Sequence, residues 1–421
     1  MRGRRTPHQQ RAYRIQLTPT PYFENLCIRA KNLYNMALYL VRQEYFATKQ
    51  WLQYIALYRQ IKTHPAYLAL KELTDSYIPQ QVLRQVEQTW RSYFQAKKAW
   101  RIDPTQFQAK PRFPGYKPKN GRYHLTFPHP RVRVRGSQLL FPQNMLKRGF
   151  PAIPLGKFPF TPQTHLSARF LPFYDRYVLE LIYEVPITPA TLASAFPPPR
   201  LLGVDLGVNN LVATSDGFLI KGGVIKTINQ WFNKQLAKYR AHAAHQKQSE
   251  PTHRLLRLFR RRSNQITNIL HQSSRKLIKH CQAQQIDTLV VGYNPHWKQG
   301  CELGKRSNQN FVQIPFLNFL QMLEYKAAQA GIHVVQLPEA YTSQRCSQCG
   351  VVRKANRQSR GLYQCKVCLL RLNADLNAAR NLIQNYQHHL ASTKVIPRDP
   401  LSLKKGVFPD SGCVTHPVQN S

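Results

Sequence analysis

Four of the eight cysteines stand in two close pairs, Cys346-x2-Cys349 and, after fifteen intervening residues, Cys365-x2-Cys368. Two such knuckles can wrap four thiolates around one ion as a tetrahedron, the pattern of a structural zinc ribbon, with no position left open for water. Two disulfides are the competing reading, which a reducing compartment disfavours. Cys27, Cys281, Cys301 and Cys413 are scattered and read as core or free thiols. Two acids also stand out. Asp205 lies in LLGVDLGVNNLVATSDG, an apolar strand pattern in which an unpaired carboxylate is costly without a hydrogen-bond set or a cation. Asp375 lies in LNADLNAARNLI, directly after the second knuckle, where a helix is expected to start; there Asn373 or Asp375 can simply cap free N–H groups.

These residues need elements to hold them. The runs LLGVDLGV and LVATSD predict two strands joined by a tight turn, followed by long basic helices between about 228 and 285. In the second of these helices Leu255, Phe259, Ile266, Leu270 and Leu277 form an apolar face flanked by RLFRRR. The strand TLVVG, a loop to about 312, a helix to about 329 and the strand IHVVQL follow, which implies an α/β sheet with parallel pairs. Nearer the N-terminus, AYRIQL reads as a strand. Leu26, Ala30, Leu33, Tyr34, Ala37, Leu38 and Val41 then mark one helix, and Val82, Val86, Trp90, Tyr93 and Phe94 mark another over about 79–100. That aromatic stripe is read as core rather than as a base-stacking platform. Short alternating runs broken by proline and glycine make the segment from Phe107 to Val185 β-rich, and TPATLASAFPPPR at 188–200 is a stiff linker.

Composition narrows the partners. The 421 residues carry 61 Lys plus Arg against 19 Asp plus Glu, a formal +42, with 42% hydrophobic residues for real cores. Such a charge attracts polyanions, and its spread along the whole chain suits a long phosphate backbone better than a membrane. No apolar run of about 18 residues is present, and the first residues, MRGRRTPHQQRAY, lack the apolar core of a secretory signal. The expected location is the cytoplasm.

The C-terminal half resembles TnpB, the transposon-encoded RNA-guided DNA endonucleases related to type V CRISPR effectors and Fanzor proteins. The residues that carry the resemblance are GVDLGVNNLVATSDG, VVGYNPHWKQG with GKRSNQNFVQIP, EAYTSQRCSQCG, YQCKVC and NADLNAARN, with a weaker match at LYNMALYLVRQ and PRFPGYK. The resemblance implies a multidomain α/β protein. Its N-terminal part would be helical plus a β-barrel-like recognition and wedge region, and its C-terminal part an RNase H-fold, RuvC-like nuclease with an inserted zinc ribbon. The expected division is 1–199 for nucleic-acid recognition (helices about 21–104, β-rich about 105–187, linker 188–200), 200–339 for the nuclease, 340–370 for the ribbon, 371–384 for a last nuclease segment and 385–421 for a disordered tail.

In that family acidic residues hold two Mg²⁺ ions, and on its pattern Asp205 is the first acid and Asp375 the last. The usual middle acid ends the strand that here reads TLVVG, where Gly292 or its neighbour Tyr293 stands and cannot bind a metal. Adjacent parallel strands lie about 4.8 Å apart and their C-terminal ends face one crevice, so an acid can move to the next strand without leaving the site. Glu339, directly after IHVVQLP, is such an acid and resembles a relocated glutamate in one TnpB branch. Asp287 is a rival at the strand's opposite end, where a cap or surface role suits it better; Glu302 is a second, in a loop that fixes it poorly.

Asp205, Glu339 and Asp375 are therefore the expected catalytic residues and Mg²⁺ ligands, with Mn²⁺ as a substitute, and Cys346, Cys349, Cys365 and Cys368 the structural Zn²⁺ ligands. Lys298, Lys305 and Arg306, in NPHWKQGCELGKRSNQN, are candidate nucleic-acid contacts; His296 reads as a loop or phosphate contact rather than a base. The implied partners are a guide RNA from the transposon end and target double-stranded DNA with a short flanking motif, with dimerisation left open. A guide-dependent DNA-binding repressor with an inactive nuclease, motivated by Gly292, is the alternative, and a zinc-ribbon RNA-binding protein a third class.

Overall fold

The computed structural model describes residues 8–107, 109–154, 166–186, 199–246, 251–294, 304–339, 342–359 and 361–392. They divide into two compact units, one over His8–Val185 and the other from Pro186 onwards. Among the described residues no helix is long and apolar enough to cross a membrane.

The N-terminal unit opens with β1 (His8–Leu17), then α1 (Pro21–Thr48), α2 (Tyr54–Ile61), α3 (Pro65–Leu73) and α4 (Tyr77–Ile102). Thr20 caps α1 by accepting from Phe23 N, Pro21 takes the first turn where its missing N–H costs nothing, and Lys49 ends it in the left-handed conformation. All seven residues of the stripe read from sequence on α1 are buried. On α4, Val82, Val86, Trp90 and Tyr93 are buried too, so the aromatic stripe is core. The short helices α2 and α3, unread in the sequence, add Leu57, Ile61, Tyr67 and Leu70 to the same core.

The β-rich segment holds β2 (Leu125–Phe127), β3 (Arg133–Arg135), β4 (Gln138–Leu140), the one-turn α5 (Gln143–Lys147), β5 (Ile153–Pro154), β6 (Leu166–Phe173) and β7 (Arg176–Pro186). It makes a four-stranded sheet ordered β1-β7-β6-β2 and a three-stranded sheet ordered β3-β4-β5. Phe23 of α1 meets Phe170 and Tyr177 of the larger sheet with ring centroids 5.0 and 5.6 Å apart. The linker read at 188–200 lies outside the described residues except at its end.

The C-terminal unit is built on β8 (Leu201–Asp205), β9 (Asn210–Thr214), β10 (Leu219–Lys221), α6 (Gly223–His245), α7 (His253–Ala283), β11 (Thr288–Gly292), α8 (Lys305–Val312), α9 (Phe316–Gln329) and β12 (His333–Leu337). The chain then enters β13 (Tyr363–Gln364) and β14 (Arg371–Leu372) and ends in α10 (Ala374–Ser392). Two departures from the sequence reading stand out. Lys305–Val312 is helical where a loop was expected, and α10 continues to Ser392, past the expected limit at 384. The charged and amide-rich KRSNQN masks a helix when no long apolar stripe marks it.

Five strands form one sheet ordered β10-β9-β8-β11-β12. β9 runs antiparallel to β8 and β10, whereas β11 is parallel to both β8 and β12. Side chains alternate across a strand, so Leu202, Val204, Leu289 and Val291 enter the core shared with α7 and α9. The other face receives α10. There the helix comes so close that a Cβ on Gly203 would stand 2.0 Å from the Ala379 carbonyl oxygen. Gly203→Ala is therefore expected to destabilise this unit by about 2–3 kcal/mol, read as a lower melting temperature. Gly223→Ala, whose added Cβ meets nothing within 4 Å, should leave it unchanged.

Candidate active site

The sheet register decides which side chains meet. Val290 pairs with Gly203 and Val291 with Val204, so Asp205 and Gly292 stand side by side one step further, on the face that carries α10. Gly292 is also in register with Leu337 of β12. Glu339 follows two residues later and, by the same alternation, returns to that face. A Cβ on Gly292 would lie 2.6 Å from Glu339 Oε1 and 2.8 Å from its Cγ. The volume that a side chain at 292 would need is thus filled by Glu339.

Asp375 arrives from the opposite direction, in the first turn of α10. Asn373 Oδ1 accepts from Asp375 N at 2.8 Å, so the capping is done by the asparagine and the Asp375 carboxylate is left for other work. Its Oδ2 accepts from Asn210 Nδ2 at 2.8 Å, and Asn210 is itself buried at the start of β9.

The structure brings Asp205, Glu339 and Asp375 together closely enough for their charges to act on one another. Burial pushes the Asp205 carboxyl well above the usual range, the Glu339 and Asp375 charges push it further, and among the described residues Arg357 pulls it down. Burial also raises Glu339, to about 7. Among the described residues, buried Glu339 Oε1 has no hydrogen-bond partner. An orphaned carboxylate oxygen beside two further carboxylates fits hard divalent cations such as Mg²⁺ or Mn²⁺, which supply the missing positive charge. Among the described residues the cysteine cluster is the group of three or more whose donor atoms all lie within 4.8 Å of one another, so at least one pair of the three carboxylates is separated by more than that.

Asp287 does not join them. Asp287 precedes β11 at its far end, where its Oδ2 accepts from Arg200 N at 2.8 Å and its backbone pairs with Arg200 and His333. His296, Lys298 and Glu302 lie outside the described residues. Lys305 and Arg306 open α8, but their side chains are not described either. Asn210 and Arg357 were missed from sequence. The doubled asparagine after the β8 turn was a signal for the first. Nothing in the chain order marked Arg357, a residue of the ribbon that acts on Asp205 only through the fold.

Cys346, Cys349, Cys365 and Cys368 converge. Cys346 and Cys368 sulfurs are 3.5 Å apart and those of Cys349 and Cys365 3.6 Å, far beyond a disulfide of about 2.05 Å. These separations are close to the edge of about 3.8 Å expected of a tetrahedron with Zn–S near 2.3 Å. Backbone N–H groups of Cys368 and Val367 hold the Cys365 thiol down, at about 6. Cys368 goes the other way, to about 12, burial and the three neighbouring sulfurs outweighing the Leu370 N–H. Four thiols that cannot all ionise side by side suit a shared cation. Among the described residues, the ribbon's apolar core outside the sulfurs is Tyr363 and Ala374 with a few half-buried neighbours, too small to hold shape alone.

Two family models match, one described as "Probable transposase" over residues 186–298 and one as "Cas12f1-like, TNB domain" over 316–382. Three relatives are similar in parts. The CRISPR-associated endodeoxyribonuclease Cas12f1 of Sulfoacidibacillus thermotolerans is 41% identical over 81 residues, 19% of this chain and 18% of that protein. The "Putative RNA-guided DNA endonuclease InsQ" of Escherichia coli (strain K12) is 30% identical over 208 residues, 44% of this chain and 49% of that protein. The TnpB-like protein ORF457 of Acidianus two-tailed virus is 26% identical over 198 residues, 44% and 41%. The chain spans less than half the length of these curated relatives. The matches bear out the resemblance to the TnpB family.

A raised carboxylate has a definite effect on stability. Between its ordinary value of 4.5 and about 7 Glu339 holds a proton in the folded chain that the unfolded chain has released. Folding therefore weakens as pH rises through that window, by up to about 3 kcal/mol, and is unaffected by this group below it. Metal-free Glu339→Gln is expected to gain stability over the wild-type chain as pH rises from 4.5 to above 7, measured as the difference in melting temperature.

Proposed function

We propose that the chain is an RNA-guided DNA endonuclease of the TnpB type, and that Asp205, Glu339 and Asp375 form the metal-binding, bond-cutting site of a RuvC-like domain with an RNase H fold. The observation that carries this reading is the packing of Glu339 into the space above Gly292, beside Asp205. A sheet in which an antiparallel β10-β9-β8 set continues into parallel β11 and β12, with acids gathered at the C-terminal ends of β8 and β12, supports the fold assignment.

Bound Mg²⁺ or Mn²⁺ would activate the attacking water and stabilise the departing 3′ oxygen in target DNA. The chain's own residues prepare the place. Asp205 and Glu339 present carboxylates from the ends of β8 and β12, and Asn210 fixes the orientation of Asp375. Arg357 adds a positive charge acting on Asp205, where a scissile phosphate would also be drawn. The four cysteines hold structural zinc.

The N-terminal unit, the basic helices and the formal charge of +42 serve a guide RNA and its duplex with target DNA through backbone contacts, with sequence read by base pairing and a short flanking motif read by protein. The setting is the cytoplasm of a bacterial or archaeal cell.

The test uses the full chain purified with its guide RNA and a target duplex in Mg²⁺. Glu339→Ala should cut on the order of a thousandfold more slowly while binding target as before. Adding Gly292→Asp to that variant should restore part of the cutting, because the Glu339 side chain no longer fills the space. Undiminished cutting by Glu339→Ala would overturn the assignment.

A further inference from the structure

The cysteine cluster and the acids occupy separate parts of the C-terminal unit, yet a set of buried amides on α10 joins them. Asn377 and Asn381 lie one turn apart on that helix and are both fully buried. Asn377 Nδ2 donates to the Arg345 carbonyl at 2.7 Å, and its Oδ1 accepts from Ser347 N at 3.0 Å. Asn381 Nδ2 donates to the carbonyls of Thr342 and Arg345, each at 2.7 Å. Gln384 Nε2 extends the row to the Ser347 carbonyl at 2.8 Å.

The segment they grip carries a ligand or an acid at either end. Cys346, the first cysteine of the cluster, sits between Arg345 and Ser347. At the other end Thr342 hydrogen-bonds the Glu339 carbonyl through both its N–H, at 3.2 Å, and its hydroxyl, at 3.0 Å. The helix itself starts at Ala374 and bears Asp375 in its first turn. Glu339, Asp375 and Cys346 are thereby tied to the same two side chains.

The chemistry argues against simple packing. Among the described residues, buried Asn381 Oδ1 has no partner. A site that needed only volume would carry leucine there and avoid an unpaired oxygen, so the amide is kept for its two N–H donors. The opposite side of α10 is pressed against Gly203 of β8, which leaves the helix no room to shift when the segment moves.

We propose that Asn377 and Asn381 are positioning residues that couple the zinc ribbon to the acid site, so that the metal state of the four cysteines sets how well Asp205, Glu339 and Asp375 bind a divalent cation. This rests on the proposed acid site. Zinc closes the knuckle at Cys346, which fixes the carbonyls of Thr342 and Arg345; the two asparagines then hold the first turn of α10 and the Glu339 backbone in mutual register. Without zinc the segment loosens and the acids lose their common geometry.

The test measures Mn²⁺ binding to the full chain, without nucleic acid, from the electron paramagnetic resonance signal of free Mn²⁺. Removal of zinc with a thiol-reactive reagent should weaken Mn²⁺ binding at least tenfold in the wild-type chain. Asn377→Leu/Asn381→Leu should retain its zinc, bind Mn²⁺ at least tenfold more weakly from the outset, and show no further loss when zinc is removed. A purely structural pair would lower stability and leave that dependence on zinc in place. The wild-type arm requires no variant to fold, and Mn²⁺ affinity there that ignores zinc would overturn the proposal. Asp205→Ala separates the two levels of the account. Mn²⁺ binding that survives it would remove the acid site and this proposal together, whereas binding that needs Asp205 but not zinc would remove the coupling alone.

Discussion

The space beyond the C-terminal end of β11 admits one side chain. Gly292 leaves it empty, and Glu339 folds back from the end of β12 to fill it, with Oε1 2.6 Å from where a Cβ on residue 292 would be. Two acids could not share that volume. The exchange requires that β11 and β12 be parallel and in register, since a slip of one residue would turn Glu339 to the other face of the sheet. The packing of α7 and α9 against one face and of α10 against the other holds that register.

Filling the space with a carboxylate has an electrostatic consequence. Asp205 already stands where burial disfavours charge, and Glu339 and Asp375 add like charges beside it, with Arg357 opposing them among the described residues. Such an arrangement is poor for stability and is retained where a cation or a phosphate completes it. The orphaned oxygen of Glu339 and the unresolved repulsion among the three acids are two sides of the same vacancy in charge. The ribbon follows the same logic with softer ligands, since four sulfurs crowd around a centre that only a metal can make favourable.

Much of the sheet was legible in the sequence. The strands TLVVG and IHVVQL are β11 and β12 as read, because short β-branched runs bounded by turn residues have one sensible conformation. Position at a strand end was the ground for preferring Glu339 to Asp287, whose Oδ2 accepts from Arg200 N at the far end of β11. What escaped was long-range or polar. No spacing links Asn210 to Asp375, 165 residues away, and a ribbon arginine near a strand aspartate is visible only once the chain has folded back. Helices α2, α3 and α8 were missed because each is too short to display a periodic stripe. Asn377 and Asn381 drew no reading of their own, since buried asparagines that bond backbone carbonyls leave no trace in an apolar pattern.

The most direct measurement is a structure of the full chain with guide RNA and target DNA, soaked with Mn²⁺ and recorded for anomalous scattering. The account predicts Mn²⁺ density bounded by carboxylate oxygens of Asp205, Glu339 and Asp375, with Glu339 Oε1 as a direct ligand. Mn²⁺ held by Asp205 and Asp375 while Glu339 points away, its place taken by another acid, would contradict it.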